Sequence, residues 1–140
     1  MRNCDTACQI RRDLLSALSL LTRLPVSLEF APRANGCWAW PLAGLAVGAA
    51  SIMVAASAQW CGVPTAPAAV LLLITSALLT GGLHEDGLAD TADGLIGGRD
   101  RAHRLEIMKD SRIGSYGALA LGLLVLLRCF ALTALIAAGA

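Results

Sequence analysis

The hydrophobic residues of this chain fall into long runs that are typical of membrane-spanning helices. No charged residue lies between Ala34 and Leu83, and a further apolar run starts at Ile113. Pro41–Trp60 is the clearest candidate span, because about 20 apolar residues in a helix cover the hydrocarbon core of a bilayer. Trp38 and Trp60, near its two ends, match the aromatic belt of a membrane interface.

The next apolar segment, Ala68–Leu83, predicts a second span, which is short unless its helix continues into the polar residues that follow. An uncharged turn, Cys61–Pro67, joins the two spans. Basic residues flank this hairpin on both sides, and basic flanks are enriched on the cytoplasmic side of a membrane. Two crossings therefore place both flanks in the cytoplasm and the turn outside.

The last apolar run is interrupted by one charged residue, Arg128, which lies between Ile113–Leu127 and Cys129–Ala140. Either one span runs through, with Arg128 facing a protein or aqueous interior, or the third span ends near Leu127. An arginine inside a membrane is a functional-site hypothesis by default, and a boundary position is the alternative.

Residues before the first span predict an amphipathic helix at Ile10–Leu24, which lies along the cytoplasmic interface or packs as an ordinary helix. Together the patterns predict an all-α, multi-pass transmembrane helical bundle with an amphipathic N-terminal helix and about three spans. We expect residues 1–140 to form a single membrane domain. Because the chain stops inside an apolar stretch, we interpret it as the N-terminal part of a longer domain.

Composition and charge agree with this fold class. Of 140 residues, 56% are hydrophobic and 15% are charged, whereas soluble domains are about a quarter charged. The net charge of +1 gives no indication of nucleic-acid binding, and we expect no nucleic-acid partner. The five cysteines include no CxxC pair and are interpreted as small buried or reduced thiols. The sequence also lacks a Walker-type phosphate loop, a GxSxG motif and a Cys/His zinc spacing.

The only long polar segment, residues 84–112, is predicted to be a cytoplasmic loop with helical parts, broken at Gly94, Gly97 and Gly98. On a helix, Asp86, Asp90 and Asp93 lie at i, i+4 and i+7, within roughly 60° of one another. Oxygen ligands on one face suit a hard divalent cation, Mg²⁺ or Mn²⁺, that carries substrate phosphates. Glu85 is a further candidate ligand or base, and solvated loop carboxylates are the alternative for all four acids.

Cations follow this acidic segment. Lys109, Arg112 and Arg99 are candidate contacts to phosphate oxygens, and His84 is a candidate base or substrate contact. The alternatives are positive-inside anchoring for the arginines, an internal ion pair within Lys109–Arg112, and a bystander role for the histidine. A site with both acids and bases is what a phosphoanhydride substrate requires.

Two long motifs carry a resemblance to a known family, Gly81–Gly94 (GGLHEDGLADTADG) and Arg104–Gly117 (RLEIMKDSRIGSYG). With Leu20–Val26 and Pro41–Gly44, they closely resemble the N-terminal portion of cobalamin synthase, the adenosylcobinamide-GDP ribazoletransferase family. The resemblance implies a Mg²⁺-dependent, multi-pass enzyme of the bacterial inner membrane with residues 84–112 as its cytoplasmic active-site segment. Such an enzyme joins α-ribazole or its 5′-phosphate to adenosylcobinamide-GDP, releases GMP, and acts in the last stage of cobalamin biosynthesis.

The roles that we expect follow from the motifs and this implied reaction. Asp86, Asp90 and Asp93 are the expected metal ligands and Glu85 a further ligand or base, while Lys109 and Arg112 are the expected phosphate contacts. A cation transporter or channel that uses the acids as an ion path is the rival function, and a structural subunit is a third. The sequence leaves open whether the protein forms a homo-oligomer.

Overall fold

The computed structural model describes residues 2–25 and 34–139, and all regular secondary structure in these ranges is helical. The prediction of an all-α fold is therefore confirmed. A 3₁₀ helix at Ala34–Ala39 precedes the second of six α-helices, which are α1 (Arg2–Leu21), α2 (Trp40–Trp60), α3 (Thr65–Thr80), α4 (Leu83–Gly97), α5 (Arg101–Ile107) and α6 (Ser115–Ala137).

Two helical segments are long and apolar enough to cross a membrane by themselves, Gly36–Trp60 with 25 residues and Ser115–Ala137 with 23 residues. In their most apolar windows only 22% and 0% of the residues are buried inside the protein. Apolar side chains that face outward on such long helices fit a lipid environment. The prediction of a membrane protein is confirmed, and the first predicted span corresponds to α2.

The second predicted span ends in a sharp bend. α3 has 16 residues, and its axis meets that of α4 at 87° across Gly81 and Gly82. Both glycines adopt left-handed backbone angles, with φ of +68° and +72°, which other residues rarely adopt. The helix therefore does not continue straight into the acidic stretch, and α3 and α4 together make a third span only if the bent pair is one crossing.

α6 is continuous through Arg128, and its 23 residues are long enough for the single span that one of the two alternatives for the last apolar run predicts. α4 packs beside it and also runs through Gly94 to Gly97 without a break. The expected break at Gly94 is therefore wrong. Glycine at this position lets Met108 pack closely on α4, because a Cβ there would collide with the Met108 side chain. The chain breaks only at Gly98, before α5.

α1 packs against the start of α2 through the apolar face that the sequence predicts. Ala17 meets Ala39 and Ala43 in a buried cluster, and Leu14, Leu18 and Leu21 cover it. α1 begins earlier and ends earlier than predicted, at Arg2 and Leu21. The core of the described chain consists mainly of alanines, because small residues let membrane helices approach closely.

Candidate active site

The bend between α3 and α4 forms one wall of a cavity of about 730 Å³, which we call the bend cavity. Acidic residues of α4 line this cavity, together with residues of the segment after α1 and of the segment after α5. The charged and turn residues that matter here are Arg23, Gly81, Asp86, Asp90, Lys109 and Arg112.

Asp86 and Asp90 lie one helical turn apart on α4 and both line the bend cavity. Asp86 is exposed, Asp90 is half-buried, and the buried Ala89 fixes this face of α4 against the protein. Within residues 2–25 and 34–139, neither carboxylate has a hydrogen bond or an ion pair with another side chain. Their negative charges are therefore available to a ligand.

The pair is compatible with Mg²⁺ held by few protein ligands. Among the described residues, no group of three or more His, Cys, Asp or Glu side chains converges as a metal cage. Mg²⁺ is commonly bound by one or two carboxylates together with waters and substrate phosphates. Asp86 and Asp90 fit that pattern, whereas a cage made by the described part of the chain alone does not form.

Asp93, the third predicted ligand, is turned toward α6 and does not line the bend cavity. One of its oxygens accepts a hydrogen bond from the N–H of Gly114 at 2.7 Å, and the other accepts from the N–H of Gly117 at 2.9 Å. Asp93 is only 9% exposed and thus caps the first turn of α6 from a neighbouring helix. A Cβ on either glycine would collide with this carboxylate. The GxxG spacing at the start of an apolar run was therefore the available sequence signal that another residue packs closely on the first turn of this helix.

His84 and Glu85 lie on another side of α4, in a second cavity of about 410 Å³. There Arg128 donates a hydrogen bond from Nη1 to Oε1 of Glu85 at 2.9 Å, and the two side chains are 38% and 23% exposed. Glu85 Oε2 is buried and has no hydrogen-bond partner in the described part of the chain. Arg128 thus faces protein, as one alternative predicted, and it is a site residue to which the sequence assigned no partner.

The two contacts to α6 also define how α4 lies beside it. Asp93 meets the first turn of α6, while Glu85, two turns earlier on α4, meets Arg128 further along α6. α4 therefore runs antiparallel to the first half of α6. The polar segment was predicted to be a loop with helical parts, and over residues 83–97 it is a helix packed beside a span.

The predicted cations have different environments. Arg112 forms an exposed ion pair with Asp110 at 2.6 Å, so the alternative of an internal ion pair within Lys109–Arg112 is present. Hydrogen bonds from the Arg112 side chain and backbone lower the pKa of Asp110, and the same side-chain bonds raise the pKa of Arg112. Lys109 lines the bend cavity and has no ion pair among the described residues, while Arg99 is exposed in the turn after α4 and outside this cavity.

The comparisons with known proteins agree on one family. The family model described as "Cobalamin-5-phosphate synthase" matches residues 13–140. The chain is similar to proteins named adenosylcobinamide-GDP ribazoletransferase, with 50% identity to that of Bradyrhizobium diazoefficiens over 94% of this chain and 52% of the relative. Identity is 47% for Mesorhizobium japonicum over 91% and 51%, and 46% for Escherichia coli O139:H28 over 87% and 51%. The chain thus spans about half the length of the curated relatives it matches. No solved structure matches it.

Proposed function

We propose, from the premise that the chain belongs to the cobalamin-5-phosphate synthase family, that the bend cavity binds the diphosphate of adenosylcobinamide-GDP. The reaction transfers the adenosylcobinamide-phosphate moiety to α-ribazole or its 5′-phosphate and releases GMP. The observation that carries the proposal is that Asp86 and Asp90 share one cavity with Arg112 and Lys109, and that among the described residues Asp86, Asp90 and Lys109 have no ionic partner.

The transfer is a displacement at phosphorus. A hydroxyl oxygen of the ribazole forms a bond to the phosphorus attached to adenosylcobinamide, and the bond from that phosphorus to the GMP oxygen breaks. The hydroxyl proton passes to a base, and GMP leaves with the bonding electron pair. Little of this requires covalent chemistry by the protein, so positioning and charge neutralisation are the main tasks of its side chains.

Asp86 and Asp90 would hold Mg²⁺, which, when bound, neutralises charge on the diphosphate and on the departing GMP. Like charges at i and i+4 on a helix are about 6 Å apart, and with one of them exposed, as Asp86 is, they repel by up to about 1 kcal/mol. Asp86 and Asp90 therefore favour a cation between them. Lys109 and Arg112 donate to phosphate oxygens from the other side of the cavity lining.

Glu85 is a candidate base for the hydroxyl proton, with His84 beside it. Both line the second cavity and not the bend cavity, so this role requires the ribazole hydroxyl to approach from that side of α4. Oε2 of Glu85 is buried and unpartnered within the described ranges, so it is an acceptor that lacks a donor. An unsatisfied buried acceptor is unfavourable until a donor such as a substrate hydroxyl arrives. Asp93 is the least favoured of the four predicted acids as a ligand, because both of its oxygens already accept backbone hydrogen bonds.

For localisation, we propose the bacterial inner membrane, with the active-site segment 84–112 reached from the cytoplasmic side, although its helix α4 packs beside the span α6. The basic residues of α1 and of the segment from Arg99 to Arg112 support this orientation, because such residues are enriched on the cytoplasmic side. The substrates are also charged nucleotide conjugates that a cytoplasmic site would meet directly.

The test is Mg²⁺-dependent release of GMP from adenosylcobinamide-GDP and α-ribazole by the purified protein in lipid. Asp90→Asn is expected to reduce the rate by about a hundredfold or more, since metal ions contribute several kcal/mol to such transition states. Glu106→Gln is the matched control, because it removes an exposed acid of α5 that does not line the bend cavity. Equal rates for Asp90→Asn and wild type would refute the assignment, and ion flux without GMP release would favour the transporter alternative.

A further inference from the structure

We propose that Arg23 is a phosphate-binding residue of the bend cavity, a role that the sequence motifs left unassigned. The inference rests on the proposed function of this cavity and names one more side chain that the diphosphate contacts. Arg23 belongs to the short segment after α1, far in sequence from α4, and it lines the same cavity as Asp86 and Asp90.

The backbone of Arg23 is fixed at the end of α3. Its N–H donates to the carbonyl oxygen of Leu79 at 2.7 Å, which joins the segment after α1 to the last turn of α3. The preceding Thr22 is 7% exposed, and its hydroxyl donates to the carbonyl oxygen of Leu18. The backbone of Arg23 is therefore already ordered before a ligand binds, and only the side chain has to lose conformational entropy on binding.

The side chain of Arg23 lies directly over Gly81. A Cβ at Gly81 would be less than 3 Å from Nε, Cγ and Cδ of Arg23. Gly82, the other left-handed glycine of the bend, has no atom within 4 Å of its Cβ position among the described residues. The backbone angle explains glycine at both positions, whereas close approach by Arg23 is an additional requirement only at Gly81.

The charge of Arg23 is also uncompensated. In the described part of the chain Arg23 has no ion pair, whereas Arg112 is paired with Asp110. Arg23 and Lys109 are thus the cations that line the bend cavity without an acidic partner among the described residues. A guanidinium donates two parallel hydrogen bonds to phosphate oxygens, which a lysine cannot reproduce. A diphosphate is the ligand class that fits a cavity lined by this cation and by two carboxylates able to hold Mg²⁺.

The test measures binding of GDP with Mg²⁺ to the protein in lipid nanodiscs. We expect Arg23→Met to weaken GDP binding by about ten- to a hundredfold, as for loss of hydrogen bonds from a charged donor. Arg23→Lys should recover part of the affinity, because it keeps the charge but not the fork. Arg11→Met is the matched control, since it removes an exposed arginine of α1 outside the cavity. The Arg23→Met protein should also lose part of the salt dependence of GDP binding.

A second pair of variants tests the position of the side chain. Gly81→Ala and Gly82→Ala introduce similar backbone strain, because their φ angles differ by only a few degrees. Only Gly81→Ala should displace Arg23, and so only it should reduce GDP affinity to the level of Arg23→Met. Combining Gly81→Ala with Arg23→Met should produce little further loss, since both changes remove the same contact.

Failure of this inference and failure of the proposed function give different results. If wild type and Arg23→Met bind GDP equally, while Asp90→Asn abolishes the Mg²⁺ dependence, the role of Arg23 is overturned and the cavity assignment stands. Equal effects of Gly81→Ala and Gly82→Ala on GDP affinity would also overturn the proposed position of the Arg23 side chain over Gly81. If the wild-type protein does not bind GDP with Mg²⁺, the proposed function and the role of Arg23 are both overturned.

Discussion

Asp93→Ala is expected to be among the most destabilising single changes in this chain. The carboxylate accepts hydrogen bonds from the N–H groups of Gly114 and Gly117 at 2.7 and 2.9 Å, at a site where Asp93 is 9% exposed. Each hydrogen bond to a charged group contributes about 1.5–3 kcal/mol. Gly114 is half-buried, so in Asp93→Ala water can replace part of its lost hydrogen bond. We therefore expect a total loss of about 3–5 kcal/mol in the free energy of unfolding.

Two further variants make the prediction specific to the cap. Asp93→Asn keeps one accepting oxygen and should lose about half as much stability, since its NH₂ group cannot accept from the second N–H. Gly117→Ala should also destabilise, because its Cβ would collide with the Asp93 carboxylate. Gly122→Ala is the matched control on the same helix, and with no described atom within 4 Å it should be neutral or stabilising by up to about 1 kcal/mol.

Denaturant unfolding in detergent micelles, followed by circular dichroism, measures these differences. Hydrogen exchange of the Gly114 and Gly117 amides adds a local measurement, because both should exchange faster once the carboxylate is removed. The measurements are repeated with Mg²⁺, since a metal ligand and a helix cap respond differently. If Asp93→Asn and wild type unfold at the same denaturant concentration without Mg²⁺ and differ only with it, Asp93 is a metal ligand and the capping argument is wrong.

Three other predictions follow from the described contacts. Glu85→Gln or Arg128→Met should each lower the free energy of unfolding by about 1–2 kcal/mol, because each leaves a half-buried partner unpaired, and the double variant should recover part of that loss. The pKa of Asp110 lies below its ordinary value of 3.8, because Arg112 stabilises the carboxylate. The ion pair is therefore present at neutral pH and is lost only as pH falls through the lowered pKa. Arg112→Met should raise the pKa of Asp110 toward 3.8, which an NMR titration would measure. In sealed inner-membrane vesicles of cytoplasmic-side-out orientation, an impermeant maleimide should label the exposed Cys8 and spare the exposed Cys61, and the reverse pattern would contradict the proposed orientation.

The sequence predicted the helices well because their signal is local. An apolar run of the right length specifies α2 and α6, and the apolar face of α1 follows from its helical period. The bend at Gly81 and Gly82 was not predicted, although two adjacent glycines are a strong signal for a break. The apolar run continues across them to Leu83, and this run dominated the interpretation.

The positions of the candidate site residues were predicted only where they depend on local sequence. The spacing of Asp86 and Asp90 correctly predicts a shared helical face, because i and i+4 are neighbours on any helix. Whether Asp93 joins them depends on α6, whose first turn lies 21 and 24 residues further along the chain. Arg23 reaches the cavity through a contact with Leu79, and helical periodicity carries no information about such long-range pairs.

The four acids of α4 do not form one anionic surface, because the bend and the neighbouring helices separate them into three environments. Glu85 pairs with Arg128, Asp93 accepts from the amides of α6, and only Asp86 and Asp90 face the bend cavity without a partner among the described residues. The charges of Asp90 and Asp93 therefore have opposite effects on the free energy of unfolding. Without Mg²⁺, Asp90→Asn removes repulsion and should raise the free energy of unfolding by up to about 1 kcal/mol, whereas Asp93→Asn lowers it. A loss of stability in ligand-free Asp90→Asn would mean that Asp90 has a structural partner, and the argument for an available metal ligand would then fail.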